Sequence, residues 1–250
     1  MRVLLFLLCY LFPQLTLLAN PTPHGISFAV SNSIPPYFFA DGKSGMQYDL
    51  LEHALTTQQL TISQLYFSPN KRAIRQVKSH LVDCLINAPE NIEGLSYTDS
   101  LIDYQNSIFT LTSGKLTIES IADLTDLSLN GFQNATRYLG EDFKQMAALN
   151  HSYNESNSQR SQVLMLFTKR VDAIVLERRI FAYYQELLQH RIDTSLPVSE
   201  HQIFAPAERK IACFDSKVTE AINKGIKQIR TRYLTAVSYT HLTLPTKRIV

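Results

Sequence analysis

The sequence predicts an α/β protein made of two strand–helix repeats with one helix left over at the end. Three observations predict it. Short apolar runs at 26–30 (ISFAV), 82–87 (VDCLIN) and 171–176 (VDAIVL) are separated by stretches of helical period, the alternation that favours parallel sheets with crossover helices. The pattern breaks at Thr112-Ser113-Gly114 and then starts again. A last amphipathic stretch, with Val218, Ala221, Ile222, Gly225, Ile226 and Ile229 at helical spacing, remains unpaired.

Taken in order, Ile26 to Val30 is a buried strand and Pro35-Pro36 fixes the loop after it. Asp41-Gly42-Lys43-Ser44-Gly45 is a turn. Its Gly42-Lys43-Ser44 is no phosphate-binding loop, because Tyr37 stands where that motif needs an earlier glycine. Met46, Leu50, Leu51, Ala54 and Leu55 mark a helix, and Ile62 to Phe67 alternates as a strand. Ser68-Pro69-Asn70 opens a second helix with Ala73, Ile74, Val77 and Leu81 as its buried stripe. After the VDCLIN strand comes another strand at Ser107–Leu111. The second repeat has a strand at Leu127–Leu129, a turn at Asn130-Gly131, and a helix from about Ala135. A polar loop at Asn154–Ser158 precedes a helix at Val163, Leu166 and Phe167. The VDAIVL strand and a helix over Ile180–Leu188 complete it. Asp215 or Ser216 caps the final helix, and Lys224, Lys227 and Arg230 suit its C-terminal end.

Composition narrows the function. The chain has 250 residues, 45% apolar and 18% charged, with a formal net charge of +2. That balance suits a packed globular protein and provides no field for nucleic acid. Residues 1–19 read as a secretory signal: Met1-Arg2, an apolar run to Leu18, then Ala19. Pro13, Gln14 and Thr16 interrupt that run, which argues against a membrane span. The mature chain is expected to start near Asn20 and to be periplasmic. Cys84 and Cys213 would then remain, as buried thiols or as a pair that an oxidising compartment allows. Residues 235–250, rich in Thr and Leu and lacking acids, read as a disordered or artefactual tail.

Several segments carry a resemblance. Pro35-Pro36-Tyr37-Phe38-Phe39 precedes Gly45-Met46-Gln47-Tyr48-Asp49-Leu50. Arg72-Ala73-Ile74 leads to Val82-Asp83, and Ser96-Tyr97-Thr98-Asp99-Ser100, Ser120-Ile121-Ala122-Asp123-Leu124 and Val171-Asp172-Ala173-Ile174-Val175 follow. In order and spacing these resemble the family 3 extracellular solute-binding proteins, the polar amino-acid type that serves ABC importers. The resemblance implies a two-lobed periplasmic-binding-protein fold with two crossovers. Lobe 1 would span 20–111 and 204–234, and lobe 2 would span 112–203, with crossovers near Leu111–Gly114 and Ser199–Phe204. It also explains the leftover helix, which would pack back on lobe 1.

The implied ligand site lies beyond the strand ends, between the lobes. Tyr37 is expected to stack on the ligand. Asn87, Ala88 and Asn91 follow the VDCLIN strand, where the family typically has a Thr and then an Arg that grips a carboxylate; here Ala88 and Asn91 stand in those places. Arg72 is the nearest replacement cation in lobe 1. Phe132, Gln133 and Asn134 lead into a helix whose free N–H groups are expected to receive a ligand oxygen. Glu177 stands where the family commonly places an Asp that pairs with a ligand amino group; its alternative is a surface pairing with Arg178 and Arg179. A retained acid and a missing arginine predict a cationic or neutral ligand. No G-x-S-x-G or H-E-x-x-H motif occurs, and the seven histidines lack ligand spacing. No enzyme, cofactor or metal is expected. The expected function is capture of a small polar solute by a monomer for an importer's membrane subunit. The alternatives are a sensory module or a dehydratase-like enzyme on the same fold.

Overall fold

A computed structural model describes residues 24–30 and 33–237, and beyond Thr231 it describes only the helix backbone. The leader expected over 1–19 and most of the tail expected over 235–250 lie outside the described residues.

The elements run β1 (His24–Val30), α1 (Met46–Thr56), β2 (Leu60–Phe67), α2 (Asn70–Lys78), β3 (Cys84–Ile86), β4 (Ser96–Tyr97), β5 (Ile102–Tyr104) and β6 (Asn106–Leu111). Two single turns of 3-10 helix follow, then β7 (Leu129–Phe132), α3 (Ala135–Tyr138), α4 (Glu141–Leu149), β8 (Tyr153–Ser156) and α5 (Gln159–Phe167). The chain ends with β9 (Ala173–Glu177), α6 (Arg178–Leu188), β10 (Val198–His201), β11 (Ala207–Arg209), β12 (Ile211–Cys213) and α7 (Ser216–Val237).

These strands build two five-stranded sheets, ordered β2-β1-β3-β12-β4 and β10-β6-β9-β7-β8. In the first, β2, β1 and β3 are parallel, with β12 and β4 added antiparallel. In the second, β8, β7 and β9 are parallel, with β6 and β10 added antiparallel. The two expected repeats are therefore present. In each, the first strand of the repeat lies between the other two, so the chain steps to one side of it and then crosses back to the other. A short antiparallel ribbon, β5 with β11, stands where the chain passes between the sheets. The leftover helix α7 packs on α1, and the approach is close enough that a Cβ on Gly225 would collide with the Ala54 carbonyl.

Several expectations are corrected. The strand expected at Ser107–Leu111, which the resemblance implies lies in lobe 1, is β6 and pairs with β9 and β10 in the second sheet. Its alternating faces explain this: Ile108 packs with Leu129, Phe143 and Val175, and Phe109 stacks on Phe181 at 4.0 Å. The passages between sheets are thus near Gln105 and after His201. Asn130-Gly131 lies inside β7 and does not turn the chain. The helix expected from Ala135 is split by Gly140, whose φ of 94° no L side chain adopts comfortably. The polar stretch from Asn154 is edge strand β8, paired with β7 on one side only, which leaves its side chains free to be polar. Leu81 is 73% exposed, because α2 ends at Lys78 and the left-handed His80 carries the chain outward. Cys84 and Cys213 are bonded (S–S 2.04 Å), since the return strand β12 pairs in register with β3 and sets them opposite each other.

Candidate functional site

Ligands of open α/β sheets lie beyond the carboxyl ends of strands, at the point where the connections diverge. Here that rule selects the loops after β1 and β3 in one sheet and after β7 and β9 in the other. Tyr37 and Asn87 come from the first pair. Phe132–Asn134 and Glu177 come from the second.

The loop carrying Tyr37 is closed tightly. Asp41 accepts hydrogen bonds from the Lys43 N–H (2.9 Å) and the Ser44 hydroxyl (2.7 Å), which makes 41–45 the expected turn. Gly45, at φ 128°, packs its backbone against the Tyr37 carbonyl, where a Cβ would clash. Tyr37 is consequently buried and lies flat on Tyr104, with ring centroids 4.1 Å apart. The Arg209 guanidinium sits 4.5 Å over the Tyr104 ring. Two layers this close cannot share one ring face, so Tyr37, Tyr104 and Arg209 form a stack of three, favourable through ring offset and cation–π attraction.

A polar network joins this stack. The Tyr104 hydroxyl donates to Gln47 Oε1 at 2.9 Å, and Gln47 Nε2 donates to Asn87 Oδ1 at 2.8 Å. Asn87 holds a left-handed backbone (φ 54°), which Asn tolerates better than most residues. From the second sheet, Arg179 Nη1 donates to the Tyr37 hydroxyl at 3.3 Å and to the Asp103 carbonyl at 3.4 Å. Nearby, Asn70 Nδ2 donates to the Tyr138 hydroxyl at 3.3 Å, and Phe39 meets Tyr183 edge-on. Tyr37, Arg179, Asn70 and Tyr138 therefore tie the two strand-end regions together.

Glu177 reaches this region but serves the fold first. It is 2% exposed, and Oε2 accepts the N–H groups of Arg179 (2.8 Å) and Ile180 (3.0 Å), capping α6. Its Oε1 is sealed from solvent with no hydrogen-bond donor, and Arg179 Nη1 is 3.8 Å away. Burial pushes the Glu177 carboxyl above its ordinary range, against the pull of the Ile180 N–H, the Tyr37 hydroxyl and Arg179. Burial also works against the charge on Arg179, but Tyr37 and Glu177 outweigh it and hold Arg179 above the usual guanidinium value. Burial likewise raises both the Tyr37 and Tyr104 phenols, so each stays a neutral hydroxyl.

The other expected site residues separate. Arg72 is exposed on α2, beside Arg75, Gln76 and Ser79 on one face, and among the described residues no hydrogen bond or ion pair joins it to the Tyr37 cluster. Asn91 is exposed, with φ 59° and no side-chain bond among the described residues. Phe132 is half-buried, and Gln133 and Asn134 are exposed. Two of the N–H groups expected to be free at the start of α3 are taken. Glu155 of β8 accepts from the Asn134 N–H at 2.6 Å and from the Thr136 N–H at 3.0 Å. Glu155 is held below the usual carboxylate range: its partial burial acts upward, and these N–H bonds prevail.

Gln47, Tyr104, Arg179 and Arg209 were not singled out from sequence as site residues. Gln47 had a signal, being polar within the apolar stripe of α1 four residues before Leu51. Arg209 had none, because its place depends on the β5–β11 ribbon. Among the described residues no cluster of three His, Cys, Asp or Glu could hold a metal, and no helix is long and apolar enough to cross a membrane.

Solved structures share this architecture across most of the chain. The glutamate-bound ligand-binding core of GluR0 superposes with a TM-score of 0.66 at 16% identity, covering 85% of this chain and 95% of that one. The chain has the two-lobed periplasmic-binding-protein fold. A histidine kinase sensor domain similar to periplasmic binding proteins gives 0.65 at 13% identity, covering 86% and 94%. An ancestral arginine-binding protein bound to arginine gives 0.63 at 19% identity, covering 87% and 97%. The sequence matches no protein-family model and no curated protein. In this fold the two sheets are the cores of the two lobes, and the β5–β11 ribbon lies at their junction.

Proposed function

We propose that the protein is an exported solute-binding protein that closes its two lobes around a small polar molecule and delivers it to an ABC importer. Lobe 1 then comprises 24–104 and 207–237, and lobe 2 comprises 106–201. The observation that carries the reading is the meeting of Tyr37, from the loop after a strand end of one sheet, with Arg179 and its partner Glu177 from a strand end of the other. Residues this far apart in sequence converge where the fold places ligands, and hinge closure is the established motion of such proteins. The structural neighbours named above include proteins with glutamate and with arginine bound, which supports a ligand of amino-acid size.

The test is a thermal-shift screen of residues 20–237 against amino acids, polyamines and small organic acids, followed by calorimetry. A true ligand at 100 times its dissociation constant stabilises the protein by about 2.7 kcal/mol. Saturable one-to-one binding with no chemical change in the ligand is the expected result. Turnover of the ligand would establish an enzyme instead. A second reading, a sensory input module, is favoured by the likeness to the kinase sensor domain. Gene neighbours encoding permease subunits support delivery, and neighbouring kinase or cyclase genes support sensing.

A further inference from the structure

The outer face of α2 is cationic, and no acid answers it among the described residues. Lys71, Arg72, Arg75 and Lys78 are all exposed. Helical spacing gathers them on one side, opposite Ala73 and Val77, which are buried over β1 and β3. None of the four side chains makes an ion pair or a hydrogen bond among the described residues. Positions 53–82 contain no Asp or Glu. Asp83, the first acid after the helix, already accepts from the Ser27 N–H at 2.8 Å and the Ser27 hydroxyl at 2.6 Å.

An apolar tip stands beside this charge. Leu81 is the most exposed large apolar side chain among the described residues, and it lines the same open concavity as Arg72, Arg75 and Lys78. The backbone holds it there. The Leu81 N–H donates to the Gln76 carbonyl at 2.9 Å, and the neighbouring His80 ring stacks on Phe214 at 4.2 Å. Long cations around an outward leucine suit a bilayer surface, where cations reach headgroup phosphates and the apolar side chain enters below them. Protein–protein interface cores are instead enriched in aromatic residues and depleted in Lys. No aromatic residue lines this concavity.

We propose that this face of α2 docks the protein on an anionic lipid surface. Lys71, Arg72, Arg75 and Lys78 meet the headgroup phosphates, and Leu81 dips to the acyl boundary. The inference goes beyond the solute-binding reading and does not depend on it, since lipid binding is measured with no solute present. A protein held in this way stays close to any acceptor embedded in the same membrane.

The experiment is co-sedimentation with vesicles at low ionic strength. The protein is used without residues 1–19, so that the apolar leader cannot itself enter a bilayer. Vesicles of phosphatidylcholine mixed with phosphatidylglycerol are compared with phosphatidylcholine alone, and soluble poly-L-glutamate is the acidic-protein probe. The expected result is binding to the anionic vesicles only, lost in high salt. The triple variant Arg72→Gln, Arg75→Gln, Lys78→Gln should bind them about a hundredfold more weakly, and Leu81→Ser about fivefold more weakly, with melting curves to confirm folding. Leu81 lies outside the helix, so Leu81→Ser decides if the triple variant does not fold. Equal binding to neutral vesicles, or variants that fold and bind like wild type, overturns the proposal. Binding to poly-L-glutamate without binding to anionic vesicles assigns the face to an acidic protein and also overturns it, as does no binding to either. The solute titrations are separate, so each of these outcomes leaves the binding reading to its own test.

Discussion

Glu177 offers a clean separation of two roles, a helix cap and a buried charge. Its Oε2 satisfies the N–H groups of Arg179 and Ile180 at the start of α6. Replacing a capping side chain by Ala typically costs about 0.5–2 kcal/mol. The upper end applies here, because the Ile180 N–H is buried and water cannot replace the lost acceptor. Glu177→Ala is therefore expected to lose about 2 kcal/mol, or about 4–8 °C in melting temperature for a chain of this size. Glu177→Gln keeps an amide oxygen in the same place and removes the buried charge, so its loss should stay within about 1 kcal/mol. The pH dependence adds a signed check. The folded-state pKa of Glu177 is raised, so the folded protein binds this proton more tightly than the unfolded chain does. Wild type must then lose stability relative to Glu177→Gln as pH rises from the unfolded value through the folded one. Thermal or urea unfolding of the three proteins between pH 4 and 7 reads this directly. If the Gln and Ala variants lose equally, or if wild type gains on the Gln variant as pH rises, the acceptor-cap account is wrong.

Further outcomes follow from the same geometry. Gly45→Ala combines a positive φ with a collision at the Tyr37 carbonyl; it should cost about 1–3 kcal/mol, and near-ultraviolet dichroism should show the Tyr37–Tyr104 stack disturbed. An unchanged spectrum and melt would show the loop is not held by that contact. Cys84→Ala with Cys213→Ala removes the bond between β3 and β12 and should lower stability by about 2–5 kcal/mol in a urea melt; wild type under full reduction should approach the same value. Glu155→Gln weakens the exposed clamp on Asn134 and Thr136. Because the Glu155 pKa is depressed, its stabilisation is present above the unfolded value and lost as pH falls through the folded one. The difference between wild type and variant should therefore vanish in acid melts.

The sequence by itself determined the two repeats, because burial of alternate or helical faces is written in local periodicity. ISFAV, VDCLIN and VDAIVL became β1, β3 and β9, and the Val218–Ile229 pattern became α7. It also pointed, together with the resemblance, to the loops and strand ends that carry Tyr37, Asn87 and Glu177 as candidate site residues. It could not place Ser107–Leu111, since an apolar strand carries no label for which sheet will pair with it. Nor could it show that the Cys84 and Cys213 sulfurs meet, because they are 129 positions apart and the chain between them must fold before β12 lies beside β3. The cations beside the Tyr37–Tyr104 pair were decided in the same way. Arg72 and Asn91 stand near the right loops in sequence but are exposed and, among the described residues, make no hydrogen bond or ion pair with the Tyr37 cluster, whereas Arg179 and Arg209 are brought to Tyr37 and Tyr104 only once the second sheet and the β5–β11 ribbon have formed. Local pattern selects which backbone becomes strand or helix. Which side chains share a site depends on contacts between segments far apart in the chain, and those exist only in the folded protein.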